Sequence, residues 1–313
     1  MKKKKILIIG GTGFIGYHVA KKAIQKRFEV TSLSTNSPKK LRYLKKVKYL
    51  FCDISNKKKL KNKFKEYYDF IVNLGGYVDH SKKIKTIQSH YNGAKNLAEI
   101  FLNKPPKLFL QIGSCVEYGS QRSPQKENLL SNNKKIKSNY GIAKLLASNF
   151  LINLYKKKKF PVSILRIYLA YGPKQDENRL IPITTLSCLK NEEFDCSSGE
   201  QFRDFIYIDD LVDAIFKLLK SKKSLGQIFN IGSGKPTKVF DVIEKIKHFS
   251  NGGKPLYGKV KLRPDEIDKL YPDIKKIKKT INWKPKIPLN KGLLRVVKSY
   301  KKELPINTKI KKN

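Results

Sequence analysis

The stretch Gly10-Gly11-Thr12-Gly13-Phe14-Ile15-Gly16 decides the fold. It follows an aliphatic run, Lys5 to Ile9, and opens a segment, Phe14 to Lys26, whose apolar residues recur at helical spacing. A glycine turn between a strand and a helix is a phosphate cradle, because the first amides of the helix point at whatever anion sits there. Gly10 permits the tight turn, Gly13 lets the backbone approach a pyrophosphate, and Gly16 allows the helix to pack close to the strand. Phe14 and Ile15 open that helix, so the expected dinucleotide contacts run over Gly10, Gly13, Phe14, Ile15 and Gly16.

Outward from the turn, strands and helices alternate. Phe28 to Leu33, Val47 to Phe51, Phe70 to Leu74, Leu108 to Ile112 and Val162 to Ile167 read as strands. Ile87 to Leu102 and Ser138 to Tyr155 read as helices. This alternation predicts an α/β fold, a Rossmann-type doubly wound parallel sheet with helices on both faces. From Gly172 the pattern loosens and Pro and Gly punctuate it. Pro182 to Lys190, Asp209 to Lys220 and Val239 to Ser250 read as helices, Phe205 to Ile208 and Ile228 to Ile231 as strands. The expected organisation is a dinucleotide-binding domain over 1–171, a smaller interwoven C-terminal substrate lobe over 172–304, and a basic tail over 305–313.

Composition narrows the function classes. The 313 residues carry 68 Lys+Arg against 25 Asp+Glu, a net charge of +43. The lysines spread along the whole length, as in a lysine-rich proteome, and this argues against a dedicated nucleic-acid surface. The resulting field still favours anionic ligands such as a diphosphate. Cys52, Cys115, Cys188 and Cys196 show no CxxC spacing and read as reduced thiols. No apolar run reaches the ~18 residues of a membrane span. A soluble, cytoplasmic protein is expected.

The second strand normally ends in a carboxylate that binds the adenosine ribose. Here it runs into Ser34-Thr35-Asn36-Ser37-Pro38-Lys39-Lys40. Hydroxyls followed by lysines suit a 2′-phosphate, so NADP is favoured over NAD, with Ser34 and Lys39 as contacts. The global lysine excess is the competing explanation of Lys39 and Lys40. Asp53, after the third strand, suits either an adenine amino group or a helix N-cap. Ile54 and Leu74 complete the expected cofactor contacts.

Tyr140 and Lys144 stand four residues apart, on one helix face. A free Tyr titrates near pH ~10, and a nearby ammonium lowers that, making the phenol a usable acid or base. Ser114, just past the fifth strand, is placed to hydrogen-bond a reacting oxygen. Ser114, Tyr140 and Lys144 are therefore the expected catalytic residues, with Tyr140 and Lys144 also touching the cofactor.

With these motifs the chain resembles an extended short-chain dehydrogenase/reductase of the NAD(P)-dependent sugar-nucleotide epimerase/dehydratase family. Asn73-Leu74-Gly75-Gly76, Ser114 to Gly119, Leu165-Arg166, Tyr171-Gly172-Pro173, Arg203 to Asp210, Asn230 to Gly234, Arg263-Pro264 and Trp283-Lys284-Pro285 extend the resemblance over Ile6 to Val297. The resemblance implies a nucleotide-sugar substrate, a homodimer, and polysaccharide-precursor synthesis. It implies Arg203 and Arg263 as diphosphate ligands, which suits the bidentate guanidinium, and Asn178 and Arg179 as lining of the nucleotide pocket.

Family dehydratases carry Asp-Glu immediately after the Ser or Thr; here Cys115-Val116 stand there. Two reactions remain: reduction of a 4-keto nucleotide sugar, with Tyr140 as proton donor, and 4-epimerisation with NAD. Glu117-Tyr118-Gly119 resembles the CDP-abequose synthase-like reductases. A third class, a non-catalytic NAD(P)-binding regulator with an RNA-binding surface, is disfavoured by the intact trio. His90 stands where the family often has Asn. No spacing makes His80 and His90 metal ligands, and no metal is expected.

Overall fold

The computed structural model describes residues 3–64, 66–77, 82–128, 136–262 and 266–304. The first half runs β1 (Lys5–Ile9), α1 (Phe14–Gln25), β2 (Glu29–Ser34), β3 (Val47–Phe51), α2 (Lys57–Lys61), β4 (Phe70–Asn73), α3 (Lys83–Ile87), α4 (Gly93–Ile100), β5 (Leu108–Ser114), α5 (Asn139–Lys158) and β6 (Val162–Ile167). The second runs β7 (Leu169–Tyr171), α6 (Leu180–Leu189), β8 (Glu193–Asp195), β9 (Phe202–Tyr207), α7 (Ile208–Leu218), β10 (Ile228–Ile231), β11 (Pro236–Lys238), α8 (Val239–Ser250), β12 (Lys254–Leu256), β13 (Lys269–Leu270), α9 (Lys275–Ile281) and α10 (Leu289–Glu303).

Seven strands form one sheet in the order β10-β6-β5-β4-β1-β2-β3, and every pairing in it is parallel. The chain reverses direction across the sheet between β1 and β4, which is where open α/β sheets bind ligands, at the carboxyl ends of the strands. The aliphatic runs explain the layers. Successive side chains of a strand face opposite ways. Ile6 and Ile8 pack on the face covered by Val19, Ala20 and Ala23 of α1 and by α7. Leu7 and Ile9 pack on the face covered by Ala94 and Leu97 of α4 and Ala147 and Leu151 of α5. Each fully buried Ile or Leu contributes about 1.5–3 kcal/mol.

The sheet takes its last strand from Ile228–Ile231, so the chain re-enters it after residue 171. The lobe between carries β9 flanked by β7, β11 and β13, a small β8–β12 pair, and α6, α8 and α10 packed together. Two differences from the sequence reading have local causes. The helix expected over Ile87 to Leu102 starts earlier, at Lys83, and runs through a wider turn at Gln88–Asn92 to Ile100. The strand expected over Phe205 to Ile208 begins at Phe202 and ends at Tyr207, where Ile208 opens α7. No described helix is long and apolar enough to cross a membrane. The tail 305–313 lies outside the described residues.

Candidate active site

The glycine turn is built from backbone. Gly10, at φ +76°, has its N–H on the Leu33 carbonyl at 2.7 Å. A Cβ on Gly16 would fall 2.2 Å from the Gly10 carbonyl oxygen, so only glycine lets α1 start this close to β1. Gly13 is the N-cap of α1 and no side chain caps the helix. The first-turn amides, Phe14, Ile15 and Gly16, have no partner inside the helix and are left for a ligand. The Phe14 ring itself turns into the core, edge-on to His18 at 5.3 Å.

Two hydroxyls of β2 face the turn. Ser34 Oγ accepts the Thr12 N–H at 3.4 Å. Ser32 Oγ is buried with no hydrogen-bond partner among the described residues, and a Cβ on Gly11 would lie 2.4 Å from it. The empty glycine surface and uncapped amides fit a dinucleotide pyrophosphate.

The structure places the other expected cofactor residues around the turn. Leu74 lies beside Gly10, whose added Cβ would meet the Leu74 carbonyl at 3.1 Å. Ile54 is buried against Gly75 and Gly93. Asp53 is exposed and accepts the Ser55 N–H at 2.8 Å, while Asn56 caps α2. Lys39 is exposed and pairs with Asp176 at 3.3 Å. Beside it Arg42 is buried and donates from Nε and Nη2 to the Lys174 carbonyl and from Nη2 to Asp176 at 2.9 Å. Burial opposes ionisation of Asp176, yet Arg42 and Lys39 hold its carboxyl below the usual range. The loop after β7 is thus tied to the segment after β2. His18 donates from Nε2 to the Pro173 carbonyl at 3.0 Å, and burial pushes its imidazole down to about 4.

Ser114 ends β5, and Tyr140 and Lys144 lie in the first turns of α5, whose start is fixed by Ser138 Oγ accepting the Gly141 N–H at 3.1 Å. The structure brings the three together. The Ser114 side chain stands close enough to the Tyr140 phenol to make it more acidic, and the Lys144 ammonium stands 5.8 Å from the Tyr140 ring centre. Lys144 is buried and donates to the Ile112 carbonyl at 2.7 Å. Burial pushes its amine down to about 8, against the opposing pull of Glu117. Burial likewise pushes the Tyr140 phenol up, while Ser114 and the Arg179 charge draw it down. Behind Tyr140, the His90 ring stands edge-on at 5.0 Å and its Nε2 reaches the Tyr77 carbonyl at 3.1 Å. Gly76 makes that room, since a Cβ there would lie 1.8 Å from the ring.

Cys115 is buried among Tyr168, Leu270 and Val116, and burial pushes its thiol up to about 12, so it stays a neutral thiol and offers no base. Among the described residues no cluster could hold a metal ion.

In the second half of the chain, Arg203 is buried on β9, donating to the Phe202 carbonyl at 2.7 Å and paired with Glu266. Asn178 and Arg179 are exposed at the start of α6. Arg263 and His80 lie outside the described residues. The sequence reading missed Glu117 and Arg42 as site-building groups. Glu117 had a signal, its S-x-x-E spacing from Ser114, which is a capping box. Arg42 had none among so many basic residues.

Known proteins resemble this chain. Residues 6–232 match the family model described as NAD dependent epimerase/dehydratase. The chain is 32% identical over 276 residues to a dTDP-D-glucose 4,6-dehydratase of Dictyostelium discoideum, spanning 79% of this chain and 62% of that protein. It is 30% identical over 306 residues to a putative UDP-glucose 4-epimerase of Methanocaldococcus jannaschii, spanning 93% of this chain and 97% of that one. The structure of a UDP-glucose 4-epimerase of Thermotoga maritima with UDP-glucose superposes with a TM-score of 0.90 at 25% identity, over 96% of this chain and 100% of that one.

Proposed function

We propose, from the premise that the chain belongs to the NAD dependent epimerase/dehydratase family, that it reduces a 4-keto nucleotide sugar with NADPH, Tyr140 giving the proton. Its relatives are enzymes of nucleotide sugars, and a nicotinamide cofactor comes with the family. The observation that sets a dehydratase aside is the trio standing alone; the strand ending in Ser34 with no acid favours the reductase over the epimerase. Ser114, Tyr140 and Lys144 are assembled, while the positions after Ser114 hold a buried thiol and Val116. Such a site moves one hydride and one proton at one carbon and lacks the acid–base pair for expelling water.

The glycine turn would hold the pyrophosphate of a nicotinamide dinucleotide, which when bound would supply a hydride for the carbonyl carbon. Ser114 holds the carbonyl oxygen, Tyr140 protonates it, and Lys144 keeps a positive charge under the phenol that favours its anionic form. The products are the alcohol and the oxidised dinucleotide. Ser34 in place of a strand-end acid, with Lys39 five residues on, supports the 2′-phosphate form of the cofactor. Arg203 would bind the nucleotide diphosphate, with Glu266 giving it up, while Asn178 and Arg179 would line the nucleotide pocket. A cytosolic homodimer fits this reading.

The second reading is a 4-epimerase, favoured by the likeness to the Methanocaldococcus and Thermotoga proteins. One experiment separates the two: denature the purified protein and identify the released dinucleotide by mass spectrometry. Empty protein that binds NADPH better than NADH and reduces a 4-keto nucleotide sugar is expected. Stoichiometric NAD overturns the reductase in favour of the epimerase.

A further inference from the structure

The loop after β7 is fastened to the dinucleotide side of the molecule. His18 of α1 holds the Pro173 carbonyl at 3.0 Å. Lys174 Nζ donates to the Tyr17 hydroxyl at 3.2 Å and to the Leu41 carbonyl at 2.5 Å. The Tyr300 hydroxyl of α10 donates to the Gln175 carbonyl at 3.1 Å. Lys174 has φ +65°, a left-handed backbone that a lysine adopts at a cost, so these ties keep the loop in a shape it would otherwise leave. The Tyr17 N–H donates to the Gly13 carbonyl at 2.9 Å, so the loop stands against the first turns of the helix that the glycine turn opens.

The loop ends in a carboxylate shared by two cations. Asp176 Oδ1 accepts Arg42 Nη2 at 2.9 Å and Lys39 Nζ at 3.3 Å. Both cations come from the segment after β2, five and eight residues beyond Ser34. Arg42 is only 4% exposed, and its Nε and Nη2 are also fixed on the Lys174 carbonyl, whereas Asp176 is 40% exposed and free to turn towards water. In dinucleotide folds the adenosine ribose lies off the end of the second strand, and a nearby arginine takes the 2′-phosphate when there is one. A guanidinium and an ammonium converging on one anionic oxygen are the donor set that such a phosphate needs. Here an internal carboxylate already holds them, in a chain with 68 Lys+Arg against only 25 Asp+Glu.

We propose that Asp176 is a specificity-determining residue for the cofactor: its carboxylate occupies the place on Arg42 and Lys39 that a 2′-phosphate takes, so the phosphate has to displace it. The inference rests on a nicotinamide dinucleotide binding along the glycine turn, and it does not depend on the reaction that follows. A bare ribose leaves the three charges paired. A 2′-phosphate, with about −1.5 to −2 charges and three acceptor oxygens, out-competes one carboxylate and releases Asp176 to solvent. Asp176 therefore weakens a preference for the phosphorylated cofactor that Lys39 and Arg42 create.

The test is calorimetric titration of NADPH and NADH, and of adenosine 2′,5′-bisphosphate and adenosine 5′-phosphate as fragments without nicotinamide. The proteins are the native chain, Asp176→Asn, Asp176→Ala, Asp176→Glu and the double variant Asp176→Ala/Lys39→Ala. Glu193→Gln, which removes an exposed carboxylate on β8, controls for the change in overall charge. Asp176→Asn and Asp176→Ala are expected to raise the affinity for NADPH relative to NADH about tenfold, the scale of one charge-assisted contact. The fragments should show the same change. Asp176→Glu should keep the native ratio, and the double variant should gain less than Asp176→Ala. An unchanged ratio in both Asp176→Asn and Asp176→Ala, or an equal rise in Glu193→Gln, overturns the proposal. A native protein that prefers NADH refutes NADPH as its cofactor, and the change of ratio on substitution still judges Asp176.

Discussion

The two walls of the proposed site are made differently. The dinucleotide wall is backbone: a glycine turn, uncapped helix amides and strand ends, all within the first three parallel strands and α1. The opposite wall is side chains drawn from afar, such as Arg203 paired with Glu266 across 63 positions. A backbone wall tolerates no added atoms but asks little of charge. A side-chain wall tolerates changes of shape but depends on which partner each charge holds. The trio joins the two, with Ser114 at a strand end and Tyr140 and Lys144 on α5.

The largest effect is expected at that junction. Tyr140→Phe should cut kcat by about 10²–10⁴, the usual contribution of a positioned proton donor, and leave NADPH affinity within about twofold in a fluorescence titration. Equal losses of binding and turnover would mean the phenol builds the backbone wall rather than serving the reaction.

Gly16→Ala attacks the backbone wall. Its Cβ would lie 2.2 Å from the Gly10 oxygen, and neither backbone can yield cheaply. A loss of about 1–3 kcal/mol in thermal or urea unfolding is expected, together with weakened dinucleotide binding. A variant of native stability that binds normally would show that this wall has slack.

Arg203→Met attacks the side-chain wall. It should raise KM for the nucleotide sugar about tenfold, the scale of one charge-assisted contact, and leave the dinucleotide Kd unchanged. A change in Kd with no change in KM would place Arg203 on the wrong wall.

Acidity sharpens the contrast. Lys144 is drawn down to about 8 by burial, so its charge is present below that pH and lost above it. Turnover should therefore decline above about pH 8. Stability runs the other way: an unfolded Lys keeps its ordinary value of about 10.4 and binds more protons than the folded one in the window between, so unfolding free energy should rise with pH there. Calorimetry and kcat over pH 7–10 should move in opposite directions; parallel loss would remove Lys144 as the titrating group.

The smallest effect is expected for Lys39→Ala. Lys39 is exposed and shares Asp176 with the buried Arg42. NADPH should weaken by a few-fold, within the ~1 kcal/mol of an exposed charge contact, and NADH should not change. Equal effects on both would remove the 2′-phosphate from its role.

The sequence made most of this molecule legible where short-range rules suffice. The alternating aliphatic strands, the glycine turn and the four-residue spacing of Tyr140 and Lys144 are local patterns, and each stands in the structure where it was expected. The helix Leu289–Glu303 went unread among its lysines, although Leu293, Val296, Val297 and Tyr300 are buried at helical spacing. The three-residue strands β8 and β12 were not: they form only because each finds the other, Glu193–Asp195 against Lys254–Leu256.

By itself, then, the chain determined the parallel sheet, the dinucleotide cradle and the members of the trio, because periodicity, glycine and helical spacing act over a few residues. Tertiary structure alone decided that Ile228–Ile231 closes the large sheet beside β6, that Asp176 occupies Lys39 and Arg42, and that Glu117 and Arg166 meet under Ser114. Those are pairings between distant segments, and a charge in a sequence carries no mark of which opposite charge it will be buried against.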